Sequence, residues 1–213
     1  MSNDAWNTHY TRDKSVLLYP DENLVRMLKP YCQEHDPAAM RALDLGCGTG
    51  RHLKLLYEMG VQFAAGIDTS PNALASCPRI PGGALMLADA LQTPLQNETF
   101  DIVIAWGSLH YTVKDNLGVM LSEIHRVMKK GGRLFGTLRS TRDTYLKRGT
   151  HVGNDTWITT APDIRHSTVS FYSEAELRSA LGIFSDSRYG IMERSLTGDI
   201  EKIISHWFFW AKK

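Results

Sequence analysis

Three glycines at alternate positions, Gly46, Gly48 and Gly50, follow the short apolar run Ala42-Leu43-Asp44-Leu45. They precede a stretch with Leu53, Leu55, Leu56 and Met59 at helical spacing. Glycine lets a backbone turn sharply and lets a ligand lie against it with no Cβ in the way. At a strand-to-helix turn it exposes the unpaired N–H groups of the helix start to a bound molecule. The spacing departs from two phosphate-binding patterns. A dinucleotide fingerprint needs a glycine where Arg51 stands, and a phosphate-cradling loop needs Gly-Lys-Ser/Thr, which is absent. A further group with chemical capacity is His110, which follows the apolar run Ile102–Trp106 at the edge where α/β proteins build their sites. It can act as a general base or shape its own loop. His9, His151 and His166 are weaker candidates for the same work.

The stretch Asp44-Leu45-Gly46-Cys47-Gly48-Thr49-Gly50 resembles the first motif of the class I S-adenosylmethionine (SAM) dependent methyltransferases, in particular the type 11/25-like small-molecule enzymes. Later segments match in order: Val61 to Asp68, Ala84 to Ala90, Phe100-Asp101-Ile102-Val103-Ile104-Ala105-Trp106, Ser108-Leu109-His110-Tyr111, and Val127 to Leu134. The resemblance is dense over residues 41–139 and looser outside them. It implies an α/β fold, a Rossmann-like doubly wound seven-stranded sheet, mostly parallel with a C-terminal antiparallel hairpin. It implies SAM as cofactor, leaving as S-adenosylhomocysteine (SAH), and methyl transfer to a small-molecule acceptor.

The same resemblance assigns roles. The cofactor would lie against Gly46, Cys47, Gly48 and Gly50. Asp44 would accept from its ammonium group, directly or through water, a charge-assisted bond worth roughly 1.5–3 kcal/mol. Asp68 and Thr69 would meet the ribose, Asp89 and Ala90 the adenine. Each acid also has a local use: Asp44 can cap its own loop, Asp68 the helix opened by Ser70-Pro71, and Asp89 a turn. Trp106 can wall the cofactor pocket or belong to the core. Trp6, Tyr10, Arg12 and Tyr19 near the N-terminus, with Tyr111, would form a lid and acceptor side, or simply cover one edge of the core. Methyl transfer is an in-line displacement that needs alignment and exclusion of water, and positioning can supply about 7–11 kcal/mol. A base is needed only for an acceptor that is an alcohol or an ammonium.

Strands and helices must hold these residues. Tyr19-Pro20-Asp21-Glu22 reads as a helix start, with Leu24, Val25, Met27, Leu28 and Tyr31 as its apolar face and Pro30 ending or kinking it. Helices are expected over about 50–59, from Ser70-Pro71 to Pro78, and over 115–128, with Gly131-Gly132 as the stop of the last. Ile102 to Trp106 is apolar without alternation, as in a strand buried on both faces. Arg133 to Leu138 reads as the fifth strand. Ser173-Glu174-Ala175-Glu176 carries a capping-box pattern. Arg188–Leu196 and Ile203–Trp210 read as the closing hairpin. The expected organisation is one domain over 1–213: an N-terminal lid or helical extension (1–40), a cofactor-binding core (41–139), an irregular substrate-side insertion (140–170), and the last helix and hairpin (171–213).

Composition bounds the partners. The 213 residues are 43% hydrophobic and 22% charged, with 24 Lys plus Arg against 23 Asp plus Glu, so the formal net charge is +1. That balance gives no cause for non-specific attraction to nucleic acid or membrane. Cys32, Cys47 and Cys77 lack metal-ligand spacing, and with the polar start Met1-Ser2-Asn3-Asp4 they suit a reducing cytoplasm. No bound metal is expected, and the chain is read as a monomer or homodimer. The insertion has Arg139, Arg142, Lys147, Arg148 and Arg165 against Asp143, Asp155 and Asp163, an excess that suits an acidic or phosphorylated acceptor held by Arg142 and Arg165, or a solvated surface. Two other functions remain open: a non-catalytic SAM-binding partner subunit, and an aminopropyl-type transfer on the same fold.

Overall fold

The computed structural model describes residues 2–12 and 15–213. Five parallel strands lie in the order β3 (Gly83–Leu87), β2 (Phe63–Asp68), β1 (Arg41–Leu45), β4 (Phe100–Ala105), β5 (Met128–Ser140). A hairpin of β9 (Asp186–Leu196) and β10 (Asp199–Lys212) closes this sheet, β10 running antiparallel to β5. These seven strands are the expected sheet. Period-two alternation sorts its core into two layers. Leu43, Leu45, Val103 and Ala105 pack with Leu117, Met120, Leu121 and Ile124 of α5 (Asn116–Val127) and with α6 (Glu174–Leu181). Ala42, Ala64, Ile102 and Ile104 pack with α2 (Glu22–Gln33) and α3 (Arg51–Glu58) on the other face. Asp44 has the parity of Ala42, which carries its carboxylate toward α3 rather than α5.

The insertion is not irregular. Three strands, β6 (Gly149–Gly153), β7 (Thr156–Thr159) and β8 (Thr168–Tyr172), form a meander. β8 pairs in parallel with Arg139 and Ser140 at the end of β5. Arg139 also pairs with His206 of β10, so β8 takes the edge of β5 that β4 gives up after Ala105. The long β5 thus carries a second small sheet beyond the carboxyl ends of the central strands, over its own core of Leu146, Ala161, Ile164, Val169 and Phe171.

Three helix boundaries differ from expectation. The N-cap of α2 is Asp21, whose side chain accepts from the Asn23 N–H, so Pro20 precedes the helix. α2 continues past Pro30, because burial of Tyr31 and Cys32 directly after it offsets the hydrogen bond lost at the proline. Gly131-Gly132 do not stop α5; that helix ends at Val127, and the glycines make a bulge in β5 where its register against β4 shifts. α6 carries the full capping box of Ser173 and Glu176. The remaining helices are α1 (Ser2–His9) and α4 (Pro71–Ser76), the latter capped by Ser70.

Candidate functional site

The carboxyl ends of β1, β2 and β4 open into two adjoining cavities under a common roof. The first, a narrow cleft of about 160 Å³, is lined by Gly46, Asp68, Thr69, Asp89, Ala90 and Ser108, among others. The second, about 450 Å³, is lined by Cys47, Gly48, Thr49, Arg51, His52, Trp106 and the insertion. Trp6, Tyr10, Gly46, Gly107 and Tyr111 line both. A third, of about 440 Å³, shares Arg51, Trp106, Arg139 and Arg194 with the second.

The turn after β1 is tied to β2 by Gly46 and Cys47, whose N–H groups both donate to the Ile67 carbonyl. Gly48 has φ +53°, and a Cβ there would stand 2.6 Å from the Tyr10 hydroxyl. Glycine is therefore required for the roof to close on the turn. Asp68 ends β2 and accepts from the N–H groups of Gly48 (2.8 Å) and Ser70 (2.9 Å). It caps the loop before α4 and lines the first cavity as well. Burial pushes its carboxyl pKa up, against the lowering effect of those donors. Asp89 takes the Leu91 N–H at 2.9 Å and also lines the first cavity, beside Ala90.

Asp44 is fully buried, and neither carboxylate oxygen has a hydrogen-bond partner among the described residues. His52 Nδ1 lies 3.5 Å from Asp44 Oδ1. Asp44 itself is not among the residues lining these three cavities, but its neighbours Gly46, Cys47 and His52 line the second. A buried acceptor without a donor beneath a cavity floor calls for one from a bound molecule. That orphaned carboxylate suits the ammonium of SAM. Cys47 is buried, which pushes its thiol pKa up and keeps it neutral.

α1 is the roof. Asn7 Oδ1 accepts from the Ser70 hydroxyl and the Asn72 N–H (both 3.2 Å), and its carbonyl accepts from the Asn72 side chain (3.0 Å). His9 Nδ1 donates to the Asp163 carbonyl (2.7 Å), and Arg12 to that of Pro162 (3.1 Å). Trp6 meets Tyr111 edge-on at 4.6 Å between ring centroids. Burial beside Asp68 and Cys47 pushes the Tyr10 phenol pKa up, so it stays protonated.

Some expected site residues lie elsewhere. His110 has no exposed surface and lines none of these cavities; burial and the nearby Arg139 hold its pKa well below the ordinary value. Tyr19 is 81% exposed, and only its backbone is engaged, by Arg51. Arg12 holds the roof but lines no cavity. Arg142 extends outward to Glu193, and Arg165 is exposed; neither reaches a cavity. Of the charges counted in that excess, Arg142 and Arg165 face away from these cavities, whereas Arg139 lines two of them. Trp106 walls the second and third cavities and packs in the core.

The cations that do line the cavities are Arg51, Arg139 and Arg194. Arg139 is buried and paired with Asp143, which also takes the N–H groups of Leu146 and Ser205. A readable signal for Arg139 was its place at the end of the fifth strand; Arg194, inside a hairpin, gave none. Among the described residues no cluster of His, Cys, Asp and Glu could hold a metal ion, and no helix is long and apolar enough to cross a membrane.

Residues 43–136 match the model of a methyltransferase domain family. The human probable tRNA methyltransferase 9B is 32% identical over 108 residues, which are 50% of this chain and 23% of that protein. The mouse eEF1A lysine and N-terminal methyltransferase is 27% identical over 157 residues, 68% of this chain and 22% of that protein. The chain thus spans under a quarter of the length of either relative. Among solved structures, a SAM-dependent methyltransferase of Methanosarcina mazei superposes with a TM-score of 0.68 at 16% identity, covering 86% of this chain and 97% of that one. The 1,6-didemethyltoxoflavin-N1-methyltransferase of Burkholderia thailandensis, solved with that substrate and SAH, gives 0.63 at 17% identity over 91% and 79%.

Proposed function

We propose that this chain, which has the fold of the class I SAM-dependent methyltransferases and carries their methyltransferase domain over residues 43–136, methylates a small-molecule acceptor held in the second cavity. One observation carries this reading: two cavities meet across Gly46 and Gly107 beneath one roof of Trp6, Tyr10 and Tyr111. The first suits a nucleoside. The second has the volume of a small-molecule site and is closed over by α1 and the insertion.

SAM, when bound, supplies an electrophilic methyl group on a sulfonium. The chain's own residues bind and align. Asp68 and Thr69 at the end of β2 suit the ribose hydroxyls, and Asp89 with Ala90 suits the adenine edge. Asp44 suits the ammonium; Arg51 and the Tyr10 hydroxyl suit the carboxylate at the other end of the methionine tail. The roof excludes water, and alignment under it is the main source of acceleration. His110 is enclosed in the protein interior, so the reading favours an acceptor whose nucleophile needs no base from that residue.

The relatives named above act, by their names, on tRNA and on a protein. The limited volume of the second cavity, about 450 Å³ and partly roofed by α1 and the insertion, supports a smaller acceptor. The test is calorimetry with SAM and SAH, then incubation of cell extract with the protein and methyl-labelled SAM. Label in a small-molecule fraction is expected. Label in tRNA or in a protein band would overturn the acceptor class, and binding without any transfer would leave a non-catalytic SAM-binding subunit.

A further inference from the structure

We propose that the acceptor carries an anionic group, carboxylate or phosphate, held by Arg139 and Arg194 on the shared wall of the second and third cavities. This rests on reading the second cavity as the acceptor site.

Strand register places the two guanidinium groups on one face. Arg139 of β5 lies opposite His206 of β10, and Arg194 of β9 lies opposite Ile204 of the same strand. His206 and Ile204 are two residues apart, so all four side chains leave the sheet on the same side. Strand spacing sets the two arginine Cα atoms roughly 12 Å apart on a diagonal, a gap that two long side chains can span from both ends. His206 between them adds no charge, because burial and Arg139 hold it neutral.

The two guanidinium groups keep donors to spare, while the neighbouring acids are engaged. Arg139 is 7% exposed, and one terminal nitrogen is taken by Asp143. Its Nε–H is buried with no acceptor among the described residues. A buried donor left unmade is costly, and a planar guanidinium matches the two oxygens of a carboxylate or phosphate. Arg194 has no ion-pair partner among the described residues, although it lines both cavities. The carboxylates beside them are engaged. Asp21 caps α2, Glu193 holds Arg142 and the Ser205 hydroxyl, and Asp163 takes the Tyr145 hydroxyl. A cationic acceptor would face Arg139 and Arg194 together. Trp6, Trp106, Tyr111 and Tyr145 offer flat apolar surface for the rest of the molecule.

The test titrates the SAH-saturated protein with four probes sharing one ring: benzoate, phenyl phosphate, benzylamine and benzyl alcohol. Binding is read by calorimetry. Benzoate, phenyl phosphate or both should bind in preference to the amine and the alcohol. Whichever of the two is tighter identifies the anion. Arg194→Gln should weaken that binding roughly tenfold, while Arg165→Gln, on the exposed surface, leaves it unchanged. The inference is overturned if the amine or alcohol binds as well as the anions, if no anion binds at millimolar concentration, or if Arg194→Gln has no effect. A flat SAH titration would instead sink the methyltransferase reading itself, and this inference with it.

Discussion

Asp44→Asn removes one charge from a fully buried position whose two oxygens have no hydrogen-bond partner among the described residues. The substitution keeps the shape of the side chain, so the packing of β1 against α3 is little disturbed. Two effects of opposite sign follow. In the free protein an uncompensated carboxylate is costly to bury, and an amide is cheaper, so thermal stability should hold or rise. In the complex, the variant loses the charge on its bond to the cofactor's ammonium, worth about 1.5–3 kcal/mol. SAH affinity should therefore fall roughly ten- to hundredfold. Melting with and without SAH, together with calorimetric titration, separates the two. A variant that binds SAH as tightly as the parent refutes the role given to Asp44. One that loses affinity only because it unfolds would show a lowered melting point without ligand, and would refute the argument that the carboxylate is under strain in the free protein.

Further outcomes are expected from other parts of the structure. Gly50 has φ +83°, and an added Cβ would collide with the Cys77 sulfur; Gly50→Ala should cost at least about 1–2 kcal/mol and lower Tm by about 2–8 °C. Adding Cys77→Ala should recover only the collision, so full recovery of Tm in the double variant would refute the backbone argument. Trp6→Ala removes the edge-on contact to Tyr111, worth about 0.5–1.5 kcal/mol beyond its area, and should speed amide exchange throughout α1; unchanged exchange would deny Trp6 its anchoring role. Arg126 and Thr93 hold the Glu123 carboxyl down at about 2 from an ordinary 4.5. Its contribution is therefore complete above pH 4.5 and disappears as pH falls toward 2. Glu123→Gln should flatten that part of a denaturant-midpoint profile, and a profile as steep as the parent's would count against it.

Which features could be read from the sequence follows from how local their causes are. The glycine turn, the acids ending β2 and β3, and the capping box at Ser173 each declare themselves within a few residues. The mostly parallel seven-stranded sheet with its closing hairpin followed from strand and helix alternation together with the family likeness. The insertion misled because its Thr, Ser and Gly content reads as loop, while Thr156–Thr159 and Thr168–Tyr172 become strands through pairing that begins at Arg139, beyond any local window. Arg142 and Arg165 were singled out by a charge count, which carries no direction. Arg139 and Arg194 reach the cavities only because register sets them on the same side of β10. His110 sat at the right edge of the sheet, yet its ring faces inward, and sequence position does not fix that. Gly131 and Gly132 looked like a helix stop because a bulge calls for the same residue.

The last turn of the short N-terminal helix is tied in two directions, by Asn7 to the start of α4 and by His9 to Asp163 of the insertion. Raising it from one compartment pulls it from the other. Because Trp6 and Tyr10 border both cavities, the occupants proposed for them would lie beneath one short element, and lifting it would uncover the two together.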